Sequence, residues 1–125
     1  MQDRPTADEL LAAVERFLDD EVVATSDGAR RYNARVAANA LRIVRRELER
    51  ADEALAREWA GLDALLGAEE RPAEHAAFVA ALASRSSELC ARIRSGEIRH
   101  DAAIAHARAT VRDKLLVTNP GWLGG

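Results

Sequence analysis

Cysteine, proline, lysine and aromatic side chains are all scarce in this 125-residue chain. Cys90 is its one cysteine, so no disulfide can close within the chain, which fits a reducing compartment. Lys114 is its one lysine, so arginine carries the positive charge. The net charge of −3 lacks the basic excess that a polyanion binder uses. Aromatic residues make up 4%, too few to build a stacking platform for single-stranded nucleic acid. No apolar run approaches the roughly 18 residues of a membrane span. The opening Met1-Gln2-Asp3-Arg4-Pro5 lacks the basic-then-apolar layout of a secretion signal. A soluble, cytoplasmic protein that binds neither membrane nor nucleic acid is expected.

Hydrophobic residues still reach 48%, and alanine and leucine supply most of them. Alanine has the best helix propensity and loses no side-chain entropy, so such a core suits closely approaching helices. Thr6-Ala7-Asp8-Glu9 reads as a capping box. Leu10, Leu11, Val14, Phe17, Leu18 and Val22 follow at helical spacing, and Thr25-Ser26-Asp27-Gly28 is a turn signal. A long second helix starts after Gly28, free of glycine and proline through residue 60. It either runs on through Leu55 to Trp59 or breaks near Asp52, and Gly61 and Gly67 bracket Leu62, Leu65 and Leu66 as a last short turn or a bent continuation. Pro72 suits the first turn of a third helix carrying Phe78, Val79, Leu82, Leu89, Cys90 and Ile93, which stops at Gly96. A fourth runs from about Asp101 to Thr118, with Ile104, Ala107, Val111 and Leu115 on one side, and Asn119-Pro120 ends it. The expectation is an all-α helical bundle of about four helices forming a single domain over residues 1–125. Residues 118–125 are expected to be a flexible tail unless Trp122 docks.

Familiar catalytic chemistries each lack a required part. A carboxylate-bridged metal pair in a bundle needs two Glu-x-x-His motifs, and only Glu97-Ile98-Arg99-His100 has that spacing. His75 and His106 are isolated, and no cysteine and histidine cluster suits zinc. No Gly-x-Ser-x-Gly elbow and no glycine-rich phosphate loop occurs. Cys90 falls on the apolar stripe of the third helix, where it reads as a small buried hydrophobe. No metal, cofactor or catalytic residue is assigned.

The informative stretch is the second helix. At about 100° per residue, Arg31, Arg35, Asn39, Arg42 and Arg46 fall within a sector of about 80°. A solvated face with pairs such as Arg45–Glu49 accounts for the outer part of this stripe. Two acids stand where the pattern wants apolar residues: Glu21 in the Leu10–Val14–Phe17 sector, and Glu47 in the Val36–Ala40–Ile43 sector. A carboxylate on a packed face needs a donor, because desolvating it alone is costly. Arg35, Asn39, Arg108 and Lys114 are the available donors. Glu21, Arg35, Asn39 and Glu47 are therefore the candidate binding cluster. The cluster reads either as an ion-pair network fixing helix register or as a site for a small anion or partner.

The opening Asp3-Arg4-Pro5-Thr6-Ala7-Asp8-Glu9-Leu10-Leu11, the segment Arg35-Val36-Ala37-Ala38-Asn39-Ala40-Leu41-x-Ile43-Val44-x-Arg46-Glu47-Leu48 and the closing Lys114-Leu115-x-Val117-x-Asn119-Pro120 carry a resemblance. With them the chain resembles a bacterial family of small all-helical proteins of unknown function. Members of that family are encoded beside aminoglycoside-phosphotransferase-like kinases, often near acyl-CoA dehydrogenases. The resemblance implies an accessory partner of a small-molecule kinase and transfers no functional residue.

Function is therefore expected to be that of a non-catalytic helical interaction or accessory protein, self-associating as a homodimer and partnering such a kinase. Val23, Trp59, Leu116 and Val117, outside the main stripes, would suit an interface. The alternative is a small-anion or small-molecule binding domain, or an enzyme without a recognisable motif, using Glu21, Arg35, Asn39 and Glu47.

Overall fold

A computed structural model describes residues 3–124. Four α-helices make up most of it: α1 (Ala7–Phe17), α2 (Gly28–Leu66), α3 (His75–Arg94) and α4 (His100–Thr118). Among the described residues there is no strand. None of the helices formed by these residues is long and apolar enough to cross a membrane.

The chain divides into two compact units. The first holds the residues up to Ala51 together with Val117–Pro120, and the second holds the rest. Helix α2 contributes its first part to one unit and its second part to the other.

In the first unit, the Thr6 hydroxyl accepts from the Glu9 amide at 3.2 Å, and the Glu9 carboxylate accepts from the Thr6 amide at 3.3 Å. This reciprocal cap satisfies two amides that a helix start leaves free. Helix α1 runs without a break into a π-helical turn, Leu18–Val23, where the ladder widens to i→i+5. The Thr25 hydroxyl donates to the Glu21 carbonyl as the turn ends. Gly28 then takes a positive φ of 57° and α2 begins. The two helices form an antiparallel hairpin, joined near its closed end by Asp19 with Arg42 and near its open end by Asp8 with Arg45. Among the described residues of this unit, only Ala34 and Ala38 are buried.

The second unit contains a true core. Trp59 and Leu62 of α2 pack with Phe78, Leu82 and Leu89 of α3, with Ile98, and with Ala103 of α4. Leu62 is completely buried, a placement worth about 2–3 kcal/mol by transfer. The Trp59 and Phe78 rings meet edge to face at 5.4 Å. Trp59 is thus a core residue and not the interface residue that its position off the main stripes suggested.

Several boundaries differ from the expectation. Helix α2 neither breaks near Asp52 nor stops at Gly61, and ends at Gly67 in a positive-φ turn whose amide bonds to the Asp63 carbonyl. Pro72 lies before α3 and not in its first turn, because Glu74 caps that helix by accepting from the Ala76 and Ala77 amides. Cys90 is exposed, not buried. The buried row of α3 is Phe78–Leu82–Arg85–Leu89, and Cys90 stands about 100° around the helix from Leu89. After α4 a single 3-10 turn, Pro120–Trp122, carries Trp122 outward, while Leu123 is half-buried near Leu115. The end of the expected tail, Gly125, lies outside the described residues.

Candidate functional site

The hairpin of the first unit pairs its helices through charge. Glu15 is the inner acid, with a side chain 15% exposed. It accepts a hydrogen bond from Arg45 Nη1 at 2.7 Å and forms an ion pair with Arg42 Nε at 2.8 Å. Arg42 also binds Asp19, and Arg45 binds Asp8 at 2.9 Å. The hydrogen bonds to Asp8 and then to Glu15 raise the Arg45 pKa further above its already high value, and the Arg45 bond lowers that of Asp8. The expected Arg45–Glu49 pair is absent, because α1 supplies two carboxylates to Arg45, Asp8 and Glu15, which take the place of a neighbour on the same helix. These side chains border an open groove of about 820 Å³, lined by Thr6, Asp8, Arg42, Arg45, Arg46 and Glu49 among others. Arg46 donates to the Arg42 carbonyl across one turn.

The four candidate residues are not drawn into one bonded cluster. Glu21, Arg35, Asn39 and Glu47 are all exposed, and among the described residues no hydrogen bond or ion pair joins them. Glu21 belongs to the π-helical turn and engages through its carbonyl only. Arg35 and Asn39 stand one turn apart on the open flank of α2. The two acids do sit in apolar stripes, as their spacing indicated, but those stripes face outward. Leu10, Val14 and Phe17 of α1 are 54%, 49% and 53% exposed. Tyr32, Val36, Val44 and Leu48 of α2 are also exposed. The donors expected to neutralise Glu21 and Glu47 are therefore not needed within the chain, since water solvates both carboxylates.

The second unit holds polar contacts that the spacing of the sequence did not disclose. Arg85 is 4% exposed and sits on the apolar row of α3. Its Nη1 donates to Asp63 at 2.7 Å and its Nη2 to the Gly67 carbonyl at 2.6 Å, while its guanidinium lies 4.5 Å from the centre of the Trp59 ring. Its Nε has no hydrogen-bond partner, although the Glu69 carboxylate is 3.7 Å away. Arg85 thus closes the turn that ends α2. The Arg85 hydrogen bond holds the Asp63 carboxyl below the usual range, partly opposed by desolvation. A signal was available: Arg85 interrupts an apolar row just as Glu21 and Glu47 do.

Helix α4 meets α2 through its small and polar side. Arg57 makes a two-pronged pair with Asp113, both bonds 3.0 Å, and the His106 ring rests against Gly61. Arg57, Gly61, His106, Thr110 and Asp113 help to line a cavity of about 240 Å³. The apolar side of α4, expected to face the core, is turned outward, with Ile104 and Val111 about half exposed. The side of α4 that meets α2 carries the groups that face can pair with: Asp113 binds Arg57, and the flat His106 ring lies on the bare backbone of Gly61.

Residues 24–122 match the model of a family described as a domain of unknown function, DUF6285. The chain belongs to the DUF6285 family. The match covers all of α2, α3 and α4, and leaves out α1 and the π-helical turn, with the carboxylates of Asp8, Glu15 and Asp19. The arginine stripe, the outward apolar face of α2 and the Arg85 and His106 contacts all lie within the matched residues. No curated protein and no solved structure matches the chain.

Proposed function

We propose that this DUF6285 protein is a non-catalytic helical interaction protein that self-associates through the apolar side of its first unit. One observation carries the reading. Among its described residues the first unit has only two alanines buried, yet it holds seven large apolar side chains on its surface: Leu10, Val14, Phe17, Tyr32, Val36, Val44 and Leu48. An amphipathic helix normally turns its apolar stripe toward a core, and a two-helix layer needs a second layer to provide one. Scattered exposed leucines are ordinary, but stripes on both helices of one hairpin mark an interaction surface.

Light scattering on the eluting protein tests this. The expected result is a dimer that Val44→Asp converts to a monomer without loss of helicity, since Val44 is exposed in the single chain. A wild-type monomer at high concentration would sink the reading.

The accessory role extends it. The resemblance to proteins encoded beside aminoglycoside-phosphotransferase-like kinases supports such a kinase as partner, in the cytoplasm. Co-expression with the kinase encoded nearest to the chain should give a complex on purification. Separate elution together with unchanged kinase activity argues against it.

A second reading has a specific observation behind it. Arg35 and Asn39 are exposed one turn apart and make no bond to another described residue, so both can reach one small anion, with Glu21 and Glu47 as neighbouring polar groups. Titration of wild type and Arg35→Ala with inorganic phosphate decides it: heat of binding lost in the variant, at an unchanged melting temperature, supports a site.

A further inference from the structure

We propose that a second copy of this chain docks antiparallel on α2, with Ala40 at the two-fold axis; this rests on the self-association reading above. Tyr32, Val36, Ala40, Val44 and Leu48 form one row at four-residue spacing on α2. The four larger members are all exposed, as is Ala40. The row is graded about its middle, with the smallest side chain at the centre, valine one turn to either side, and tyrosine or leucine two turns away. A row at this spacing is inclined to the helix axis, so two helices that share it cross instead of lying side by side. Crossing helices are closest at one point and diverge from it. Alanine at the closest point and progressively larger side chains outward fit that taper.

An isologous contact requires a self-complementary patch. About Ala40 this row is one, because Val36 falls opposite Val44 of the second copy and Tyr32 opposite its Leu48. Glu47 selects the direction. It lies between Val36 and Ala40 around the helix, inside the apolar stripe. In a parallel pairing it would face its own copy, two carboxylates losing water together. In the antiparallel pairing it falls opposite Tyr32 and Asn33 of the second copy, a phenol and an amide that both donate hydrogen bonds.

The area draws on both helices of the hairpin. Each of the four large side chains of the row leaves on the order of 100 Å² outside, as does each of Leu10, Val14 and Phe17 on α1. The row alone offers on the order of 400 Å², and with the α1 side chains beside it the face approaches the ~800 Å² that each partner gives to a standard interface.

Symmetric cross-linking tests the register. In a Cys90→Ser background, which removes the exposed native thiol, Ala40→Cys, Val36→Cys and Val44→Cys are each oxidised mildly at low concentration. Circular dichroism confirms that the variants are folded. Only a residue at the axis comes within disulfide reach of its own copy. Ala40→Cys alone is expected to link most chains as dimers. Val36→Cys and Val44→Cys are expected to link only when mixed with each other. Equal self-linking of Val36→Cys would establish a parallel contact and overturn the proposal. A dimer by light scattering that fails to link through Ala40→Cys overturns the register alone, whereas a monomer overturns the self-association reading as well.

Discussion

His106 occupies the space that a side chain at position 61 would need: a β-carbon built on Gly61 falls 2.7 Å from His106 Cε1 and closer still to Nδ1. Glycine in a helix interior ordinarily costs about 1 kcal/mol relative to alanine. Its presence at position 61, inside α2 near its C-terminal end, is explained by the imidazole packed on bare backbone. Gly61→Ala is therefore expected to destabilise the second unit by about 1–3 kcal/mol, as overpacking does, despite the gain in helix propensity. Gly61→Ala with His106→Ala should recover much of that loss. Urea unfolding of the four-member cycle measures both. A more stable Gly61→Ala would show that the close approach is not held in solution.

Arg85 is the costliest single truncation expected outside the apolar core. Alanine there removes the bonds to Asp63 and the Gly67 carbonyl and the contact with the Trp59 ring. It also leaves a cavity between α3 and the end of α2. Breaking a buried pair costs about 3–5 kcal/mol when the abandoned partner is sealed from water. Asp63 retains 28% side-chain exposure, so the expected loss for Arg85→Ala is nearer 2–3 kcal/mol. Arg85→Met keeps the volume and should cost less. Equal midpoints for wild type and Arg85→Ala in urea would contradict the arrangement.

The helices were legible because periodicity and caps are local. Thr6 and Glu9 specify the start of α1, and Gly67 and Gly96 mark the ends of α2 and α3. At Gly96 the 97→92 and 96→93 amide bonds complete the C-terminal motif that glycine permits. Which side of each helix faces inward was less legible. A periodic stripe says that a side is apolar, not that the same chain covers it. Val44 and Ile104 lie on such stripes and are exposed. The contact of Arg85 depends on α2 and α3 meeting across a turn, and that of Gly61 with His106 on α2 meeting α4 with all of α3 between them in sequence, and spacing along one helix carries no record of either.

Acid should loosen the second unit through Asp63. The Arg85 hydrogen bond, followed by a weaker one from the Glu69 amide, lowers its folded pKa below the ordinary carboxylate value. A depressed carboxylate contributes stability that is fully present above its unfolded pKa and is lost as pH falls through the folded one. Wild type should thus begin to lose this contribution below about pH 4. Asp63→Asn should be less stable at neutral pH and show a smaller decline over that acid range. Thermal melts from pH 7 to pH 2.5 give the comparison. Parallel curves for the two proteins would mean that Asp63 is not the linked group.

The charged flank of the first unit should prove uneven. Asp8 is largely in water and Glu15 is not, although both bind Arg45. Exposed ion pairs contribute little and are screened by salt. A carboxylate that pairs with two guanidinium groups in a partly dry position, accepting a hydrogen bond from one, contributes more, on the order of 1–2 kcal/mol. Glu15→Gln is therefore expected to lower the melting temperature clearly, and by a similar amount in low salt and at high ionic strength. Asp8→Asn should have a small effect that salt erases. The order matters for the hairpin, because Glu15 ties α1 to both Arg42 and Arg45 where, among the described residues, only Ala34 and Ala38 are buried. Equal effects of the two substitutions would place the attachment of α1 in its apolar contacts alone.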